Sequence, residues 1–295
     1  MLDVIIALLP ALVMGTVIFG WRALLVSAVC VGSAVFAEYL FNVITKREQS
    51  ISDLTAVVTG LLLALNIRAD VPIWQCVVGA VFSIIVVKCL FGGLGANFAN
   101  PAITGRVFMV LCFTATVGGG VERVVNEEGA AELVTSVTPL VSLAKGGSLP
   151  TLSDMFFGFY GGAIGETCTV ALLIGFVYLV VRKVIHFETP LIFIGTVLVL
   201  SLIADNSFTS ALYQVMAGGL VLGAVFMATD YVTTPITRSG KMIFAFGCGL
   251  ITFLIRYFGN YPEGVSFAIL FMNVLSPYIE KWTKKRPLGI GGAAK

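Results

Sequence analysis

Residues 121–154 read VERVVNEEGAAELVTSVTPLVSLAKGGSLPTLSD and separate two long hydrophobic halves of the chain. Charged and hydroxyl side chains are costly in lipid, so we predict that this insertion lies in water or in a site lined by protein. At its centre, the run TSVTPL at 135–140 groups hydroxyl side chains with no charged residue among them. The chain is therefore divided into two apolar regions by one polar insertion.

The composition is that of an integral membrane protein. Of 295 residues, 58% are hydrophobic and 12% are charged, whereas soluble domains carry about 25% charged residues. The net charge of +2 gives no sign of a nucleic-acid partner, and no basic run is interleaved with aromatic residues. The first hydrophobic stretch lacks a basic flank and a cleavage site, so we predict a retained helix.

The predicted fold is an all-α, polytopic membrane protein with about ten transmembrane helices in two related halves. A spanning helix needs about 20 apolar residues. The segments at 52–67 and 190–204 are short, and we predict half-helices or interrupted helices there. The candidate spans lie at 3–20, 22–43, 52–67, 72–91, 101–118, 156–181, 190–204, 209–228, 241–257 and 264–280.

The placement of Lys and Arg predicts cytoplasmic N- and C-termini. Of the 18 such residues, 13, with Arg106 among them, then lie inside; the other five, outside, are Arg22, Arg68, Arg123, Lys145 and Arg256. The predicted domains are a first helix bundle at 1–120, an extracytoplasmic loop at 121–154, a second bundle at 155–282 and a cytoplasmic tail at 283–295.

An internal repeat relates the two halves. The stretch that begins at Trp74 resembles the one that begins at Tyr213, and the stretch at Pro101 resembles the one at Pro235. Either the copies are four helices apart and partly parallel, or one short segment is re-entrant. Membrane folds built from repeats tend to place their binding site where the repeats meet, near broken helices.

Two polar runs precede prolines at predicted helix starts, NFANP at 97–101 and TDYVTTP at 229–235. One interpretation is that side chains such as Asn100 and Asp230 cap the helices. The other is that two facing helix N-termini hold an anionic or hydrogen-bonding ligand such as a flavin ring. The sequence leaves both open.

The run GGAIGET at 161–167 is predicted to open the sixth helix. Its glycines permit close helix packing or close approach of a planar ring. Glu166 would lie near the outer membrane boundary, where a carboxylate must be wet or paired. Solvation at that boundary and a role beside a cofactor or ion path are both consistent with this position.

Several other polar residues have a structural interpretation. Arg256 and Glu263 flank a short turn, which predicts a clasp across it. The six cysteines show no metal-ligand spacing and are interpreted as small buried hydrophobic residues. No metal site is predicted. The alternative is that one or two of the cysteines join a metal site shared with a partner. Four aspartates could line a cation path but are also suited to helix capping, namely Asp53, Asp70, Asp205 and Asp230.

Thr138 has no neighbouring base that would activate it, so it is a poor enzymatic nucleophile. The residue before a proline favours an extended backbone, and we predict an accessible hydroxyl before Pro139. Such a hydroxyl could accept a covalent modification. An unmodified loop hydroxyl is the alternative.

The chain resembles the RnfD subunits of Rnf ion-pumping electron-transfer complexes and, more distantly, NqrB of the sodium-pumping NADH:quinone reductase. The resemblance covers nearly the whole chain. It is carried by NPA at 100–102, GAIGET at 162–167, FMATD at 226–230 and the block at 254–273, which includes FGNYPEGV.

The resemblance implies a covalent FMN, joined through its phosphate to a threonine that ends a Ser/Thr-Gly-Ala-Thr-like motif. Thr135, Ser136, Val137 and Thr138 match this motif, with Ser136 in place of Gly and Val137 in place of Ala. It also implies a second, non-covalent flavin, riboflavin, between the helix bundles. The predicted cofactor-binding residues are Thr138, Thr135, Ser136, Glu166, Asn100 and Asp230.

The implied function is an electron relay in a prokaryotic cell membrane, within a complex that couples ferredoxin oxidation and NAD reduction to export of Na⁺ or H⁺. The subunit would not be catalytic alone. Its implied partners are a second covalent-flavin subunit, iron–sulfur subunits and a flavin transferase, within the lipid bilayer. Two alternatives stay open: a repeat-built transporter or channel without a covalent cofactor, and a structural subunit that has lost its flavin.

Overall fold

The structure is a computed structural model that describes residues 1–125, 131–259 and 263–284. Helices dominate it, because a chain in lipid must satisfy its backbone hydrogen bonds internally. In the first half, the helices are α1 (Leu2–Phe19), α2 (Trp21–Ile44), α3 (Thr55–Leu65), α4 (Ile73–Val81), α5 (Pro101–Cys112) and the short α6 (Thr114–Val117), with a 3₁₀ turn at Ile51–Asp53 and a π-helix at Phe82–Cys89.

The polar insertion begins with a two-stranded antiparallel sheet of β1 (Gly120–Val125) and β2 (Ala131–Ser136), in which Gly120 is paired with Ser136. The second half follows with α7 (Pro139–Lys145), α8 (Leu152–Phe157), α9 (Thr169–Val181), α10 (Glu188–Asp205), α11 (Phe208–Met216), α12 (Leu220–Leu222), a π-helix at Gly223–Met227, α13 (Arg238–Phe258) and α14 (Val265–Thr283).

Four helices are long and apolar enough to cross a membrane by length and composition, namely α1, α2, α10 and α13. A fifth candidate is the pair Phe208–Met216 and Leu220–Met227, which is bent by 62°. The shorter apolar helices are Thr55–Leu65, Ile73–Cys89, Pro101–Cys112 and Thr169–Val181. With α14, these elements correspond one for one to the predicted spans, and the all-α membrane fold is confirmed.

The structure decides the length and continuity of three predicted spans. The short helix predicted at 52–67 is confirmed as Thr55–Leu65, but the short one predicted at 190–204 is wrong, since α10 runs unbroken for 18 residues. The span predicted at 156–181 is not one helix. Residues 158–168 form an irregular loop between α8 and α9, because their backbone groups bond elsewhere, as when Gly165 N–H donates to the Leu65 carbonyl at 2.8 Å.

The hairpin was not predicted from the sequence, and its packing explains why it forms. Val121 of β1 is fully buried, and its carbonyl accepts from the Gly162 N–H at 3.2 Å. A Cβ on Gly161 would lie 1.9 Å from Ser136 Oγ, so glycine is needed where this loop meets the sheet. The insertion is therefore folded back on the loop at 158–168.

The two halves share one core. Helix α1 packs against α9, and α5 packs against α14, so each half contributes to the other's burial. A Cβ on Gly175 would lie 2.3 Å from the Ala7 carbonyl oxygen, which shows how closely α1 and α9 approach. Small residues permit this contact between membrane helices.

Each half also contains a π-helix just before one of the two polar runs, at Phe82–Cys89 and at Gly223–Met227. Such segments are frequent at functional sites. Of the sequence features already considered, three segments lie outside the described parts of the chain: residues 126–130 of the polar insertion, 260–262 of the turn and 285–295 of the predicted tail.

Candidate functional site

Thr138 lies between β2 and α7, and its backbone is extended, at φ −66° and ψ 150°. The extended conformation was predicted, but the accessible hydroxyl was wrong, because the residue is only 4% exposed. The hairpin returns over it, so that a Cβ on Gly120 would lie 3.1 Å from Thr138 Cγ2. Oγ1 of Thr138 is buried and has no hydrogen-bond partner.

Thr138 borders a cavity of about 100 Å³, which we call the Thr138 cavity. One wall comes from α5 and another from the start of α14. Most of the lining is apolar or glycine, and two side chains are charged. The lining residues are Arg106, Val107, Val110, Gly118, Gly119, Thr138, Val141, Glu263, Gly264, Ser266 and Phe267.

Arg106 projects from α5 into the lining of this cavity and is 3% exposed. Its Nη2 donates to the Glu263 carboxylate, while its Nη1 is buried without a partner. The sequence placed Arg106 on the cytoplasmic side, with Arg256 outside. The structure contradicts this separation, because Arg106 and Arg256 both bond to Glu263 and Arg106 lies next to Thr138. If Thr138 lies outside as predicted, the balance of 13 to 5 becomes 12 to 6.

The predicted clasp between Arg256 and Glu263 exists in a different form. Arg256 Nε donates to the main-chain carbonyl of Glu263 at 3.2 Å, not to its carboxylate. Its other donors reach the main-chain carbonyls of Gln214, Ala217 and Gly218. The Arg256 guanidinium is therefore committed to backbone oxygens, and the Glu263 carboxylate is left to pair with Arg106.

Glu166 is 6% exposed and interacts electrostatically with Arg106, Arg256 and Glu263. Simple solvation at a membrane boundary is therefore the wrong interpretation. The four side chains form a charge cluster in which two cations face two carboxylates. Arg106, Glu166 and Arg256 are buried, Glu263 is partly exposed, and a buried charge needs such partners. This charge cluster lies beside the Thr138 cavity through Arg106 and Glu263.

Thr135 and Ser136 lie near Thr138 in the chain but do not border its cavity. Thr135 Oγ1 accepts a hydrogen bond from Arg68 Nη2 at 2.9 Å. Buried Arg68 also binds both carboxylate oxygens of Asp70 and donates to the Gly118 carbonyl at 2.7 Å. Thr135 thus anchors the hairpin, whereas Ser136 Oγ is buried and unpartnered.

The predicted residues Asn100 and Asp230 border a second, larger cavity of about 290 Å³, which we call the Asn100 cavity. Its walls come from α3, the π-helix at Phe82–Cys89, the start of α5, α9 and the turn at 229–232. The lining residues include Thr55, Thr59, Lys88, Asn97, Asn100, Pro101, Phe226, Thr229, Asp230, Tyr231 and Val232.

Capping by Asn100 is confirmed, since its Oδ1 accepts from the N–H groups of Ala102 at 3.0 Å and Ile103 at 3.4 Å. The helix start predicted at Pro235 is wrong. Helix α13 begins three residues later, at Arg238, after Thr237.

Asp230 instead closes a turn. Its carboxylate accepts from the Val232 N–H at 3.3 Å and from Thr233 Oγ1 at 3.1 Å. Burial nevertheless raises the pKa of this carboxyl above its ordinary value. The buried amide of Asn273, oriented to satisfy its neighbours, accepts from the Asn100 N–H at 3.1 Å and donates to the Thr233 carbonyl at 3.3 Å. The two polar runs therefore do meet, through Asn273.

Sequence reasoning missed a buried ion pair at the Asn100 cavity. Lys88 Nζ donates to both oxygens of Glu38 at 2.8 Å and to Thr55 Oγ1 at 2.6 Å. Lys88 and Glu38 are 2% and 1% exposed. The available signal was a charged residue inside each of two apolar runs, Glu38 within 22–43 and Lys88 within 72–91, since such residues are retained only when paired or functional.

The six predicted site residues do not form one site. Thr138 and Glu166 belong to the region of the Thr138 cavity, and Asn100 and Asp230 belong to the Asn100 cavity. Helix α5 connects the two cavities, since Asn100 caps its start and Arg106 lies about 9 Å farther along the axis at 1.5 Å per residue.

Five of the cysteines are buried as predicted and Cys112 is exposed. In the parts of the chain that the structure describes, no three or more His, Cys, Asp or Glu residues group as metal ligands.

Comparison with known proteins agrees with the resemblance found in the sequence. The model of the NQR2, RnfD, RnfE family matches residues 1–289. The D-type subunit of the Na⁺-translocating ferredoxin:NAD⁺ oxidoreductase complex of Acetobacterium woodii is 42% identical, over 98% of this chain and 90% of that protein. The corresponding subunit of the proton-translocating ferredoxin:NAD⁺ oxidoreductase complex of Clostridium ljungdahlii is 37% identical, over 98% and 91% of the two chains.

A third relative, the D-type subunit of an ion-translocating oxidoreductase complex from Stutzerimonas stutzeri, is 36% identical over 100% of this chain and 93% of its own length. These matches extend from the first helix to the last and include both cavities. The resemblance recognised in the sequence is confirmed. The chain belongs to the NQR2, RnfD, RnfE family of membrane proteins.

Proposed function

We propose that this protein is the D-type subunit of an ion-translocating ferredoxin:NAD oxidoreductase complex, and that it relays electrons through FMN joined to Thr138 by a phosphoester. The names of the relatives support the complex, and two of them name the translocated ion as Na⁺ or as a proton. One structural observation carries the flavin assignment: Thr138 Oγ1 is buried and unpartnered, and Thr138 is a lining residue of a cavity.

The residues at the Thr138 cavity fit a phosphate ester. Esterification of Oγ1 would break no existing hydrogen bond, because this oxygen makes none. The volume of about 100 Å³ suits a phosphoryl group and is too small for the flavin ring, which would lie beyond it. When bound, flavin supplies the one-electron chemistry, and the protein supplies position and electrostatics.

The chain's own residues would fix the ester and keep water from it. Val107, Val110 and Val141 form apolar walls at the cavity. Arg68 fixes the hairpin through Thr135 and the Gly118 carbonyl, and so holds Thr138 at the end of β2. A rigid attachment point of this kind reduces the variation in distance between a tethered carrier and its partners.

We further propose that riboflavin binds without a covalent bond in the Asn100 cavity. Its volume of about 290 Å³ is larger, and Asn97 Oδ1 is a buried acceptor without a partner there. Asn100 and Asp230 already bond to nearby backbone or side-chain groups, so they would shape the cavity more than donate to the ligand. Helix α5 would then lie between the two flavins.

For location, we propose a prokaryotic cell membrane, with both termini in the cytoplasm and Thr138 outside. The remaining excess of Lys and Arg on the inner side supports this topology. The partners would be the other membrane subunits, one of them with its own covalent flavin, together with iron–sulfur subunits. A flavin transferase acting outside the cytoplasm would modify Thr138.

The test is the intact mass of the chain produced with a flavin transferase. We expect the wild type to gain one FMN less one water and Thr138→Ala to gain nothing. Ser136→Ala is the matched control, because Ser136 is also buried and unpartnered but lies outside the cavity. It should be modified like the wild type.

An unmodified wild-type chain, with the transferase active on another substrate, would remove Thr138 from the proposal. A transporter without a covalent cofactor would then be favoured. The helix pair bent by 62° at 208–227 is the observation on its side, since discontinuous helices often line transport sites.

A further inference from the structure

We propose that Arg106 binds the phosphate of the flavin on Thr138, and that Glu263 positions the Arg106 guanidinium for this contact. The inference rests on the proposed function, because it assumes a phosphoester at Thr138. It goes further by assigning the cationic partner of that ester to a residue that the motif around Thr138 does not contain.

Two residues that line the same cavity have buried polar groups without partners. Arg106 Nη1 and Thr138 Oγ1 are both buried without a hydrogen bond, and both residues line the Thr138 cavity. Leaving a buried polar group unpaired costs about 1–3 kcal/mol, and more for a charged one. A phosphodiester at Oγ1 would remove the unpaired hydroxyl and offer its anionic oxygens to Nη1.

The neighbouring arginines, Arg68 and Arg256, already donate to other acceptors. Arg68 uses Nε, Nη1 and Nη2 on Asp70, Gly118 and Thr135. Arg256 directs its donors to main-chain carbonyls. Within the described ranges, Arg106 is the arginine that has a buried terminal nitrogen without a partner.

The charge cluster also orients the Arg106 guanidinium. Glu263 accepts from Nη2, and Glu166 and Arg256 interact electrostatically with the same cluster. Arg is suited to this geometry, since its planar fork can bind a carboxylate with one nitrogen and a phosphate oxygen with the other.

A purely structural role for Arg106 predicts something different. If its only task were to pair with Glu263, Arg106→Lys would retain the charge and the ion pair, and the ester would be unaffected. If it binds the phosphate, lysine is a poor substitute, because one ammonium group cannot reproduce a fork that contacts two partners. The conservative variant therefore separates the two roles.

The experiment uses the full chain produced with the flavin transferase in membranes, in four forms: wild type, Arg106→Gln, Arg106→Lys and Arg123→Gln. The last is the control, since Arg123 belongs to the hairpin but lies outside the Thr138 cavity. The readouts are the modified fraction by intact mass and the ³¹P resonance of the phosphodiester. Neither requires an active complex.

We expect Arg106→Gln to lower the modified fraction about tenfold, the loss expected when a charge-assisted hydrogen bond to the ester is removed. Arg106→Lys should be modified to an intermediate extent and should shift the ³¹P resonance. Arg123→Gln should match the wild type in both. If Arg106→Gln does not accumulate in the membrane, Arg106→Lys decides the question through its resonance.

The outcomes are distinguishable. A modified wild type, with Arg106→Lys equal to it in extent and in ³¹P shift, would overturn the assignment of Arg106 and leave Thr138 as the attachment site. An unmodified wild type would overturn the proposed function, and the role of Arg106 with it.

Discussion

The two cavities along α5 differ in how their polar groups are satisfied. At the Asn100 cavity, Asn100 caps a helix, Asp230 closes a turn, and Lys88 has three acceptor contacts. At the Thr138 cavity, the Thr138 hydroxyl and one Arg106 nitrogen have no partner. The Asn100 cavity is therefore largely maintained by its own hydrogen bonds, with Asn97 Oδ1 as its unpartnered acceptor, whereas at the Thr138 cavity a hydroxyl and a guanidinium nitrogen both lack partners.

Burial alone therefore does not identify a site for a ligand. Both cavities contain buried charged residues, but the Glu38 and Lys88 side chains are each other's partners. Substitutions at the Asn100 cavity should therefore cost stability, and substitution of Thr138 should cost cofactor attachment instead. The change in the free energy of unfolding measures this difference.

The largest effect is expected at the Glu38–Lys88 pair. Lys88→Ala should lower the free energy of unfolding by about 3–5 kcal/mol, because it leaves the Glu38 carboxylate buried without its cation. The measurement is denaturant unfolding of the purified protein in detergent or bicelles. The double variant Glu38→Leu/Lys88→Met should recover most of the loss, since it removes both charges.

For the same experiment, Arg182→Ala is the control, because the Arg182–Asp3 pair is largely exposed. Its effect should be too small to resolve. Equal losses in Lys88→Ala and Arg182→Ala would contradict the idea that the buried pair maintains the Asn100 cavity.

The next effect is expected where the hairpin meets the loop at 158–168. Gly161→Ala should cost about 1–3 kcal/mol through overpacking, because the new Cβ would lie 1.9 Å from Ser136 Oγ. Displacement of β2 should also reduce modification of Thr138 in the mass experiment. Gly195→Ala is the matched control, since a Cβ there meets no atom within 4 Å; its stability should be unchanged or slightly higher.

A smaller effect is expected at the start of α5. Asn100→Ala should lower the free energy of unfolding by about 1 kcal/mol, because two backbone N–H groups lose their acceptor. Asn100→Ser should retain most of the stability, since serine is also a good N-cap. Similar losses in both variants would indicate that Asn100 acts through contacts other than capping.

The smallest effect on stability is expected at Thr138. In protein without flavin, Thr138→Ala should leave the free energy of unfolding unchanged or slightly raised, because the hydroxyl that it removes makes no hydrogen bond. Thr135→Ala is the comparison, since it removes the acceptor for Arg68 Nη2 and should cost about 1 kcal/mol. A clear loss in Thr138→Ala would mean that the hydroxyl has a structural partner.

The membrane class, the positions of most helices and the family could all be predicted from the amino-acid sequence. These properties depend on composition and on near neighbours: a run of apolar residues forms a helix in lipid wherever it lies, and Asn100 before Pro101 caps α5 through contacts two and three residues away. The extended backbone at Thr138 is local in the same way, because Pro139 follows it.

Which polar groups are buried, and which are paired, depends instead on long-range packing. Lys88 and Glu38 are 50 residues apart in the chain, and Arg106 and Glu263 are 157 residues apart. The burial of Thr138 depends on a hairpin that is held by the loop at 158–168, and the position of Arg106 at the Thr138 cavity depends on α5 packing against α14. Such contacts arise when distant segments share one core, so no local pattern in the sequence specifies them.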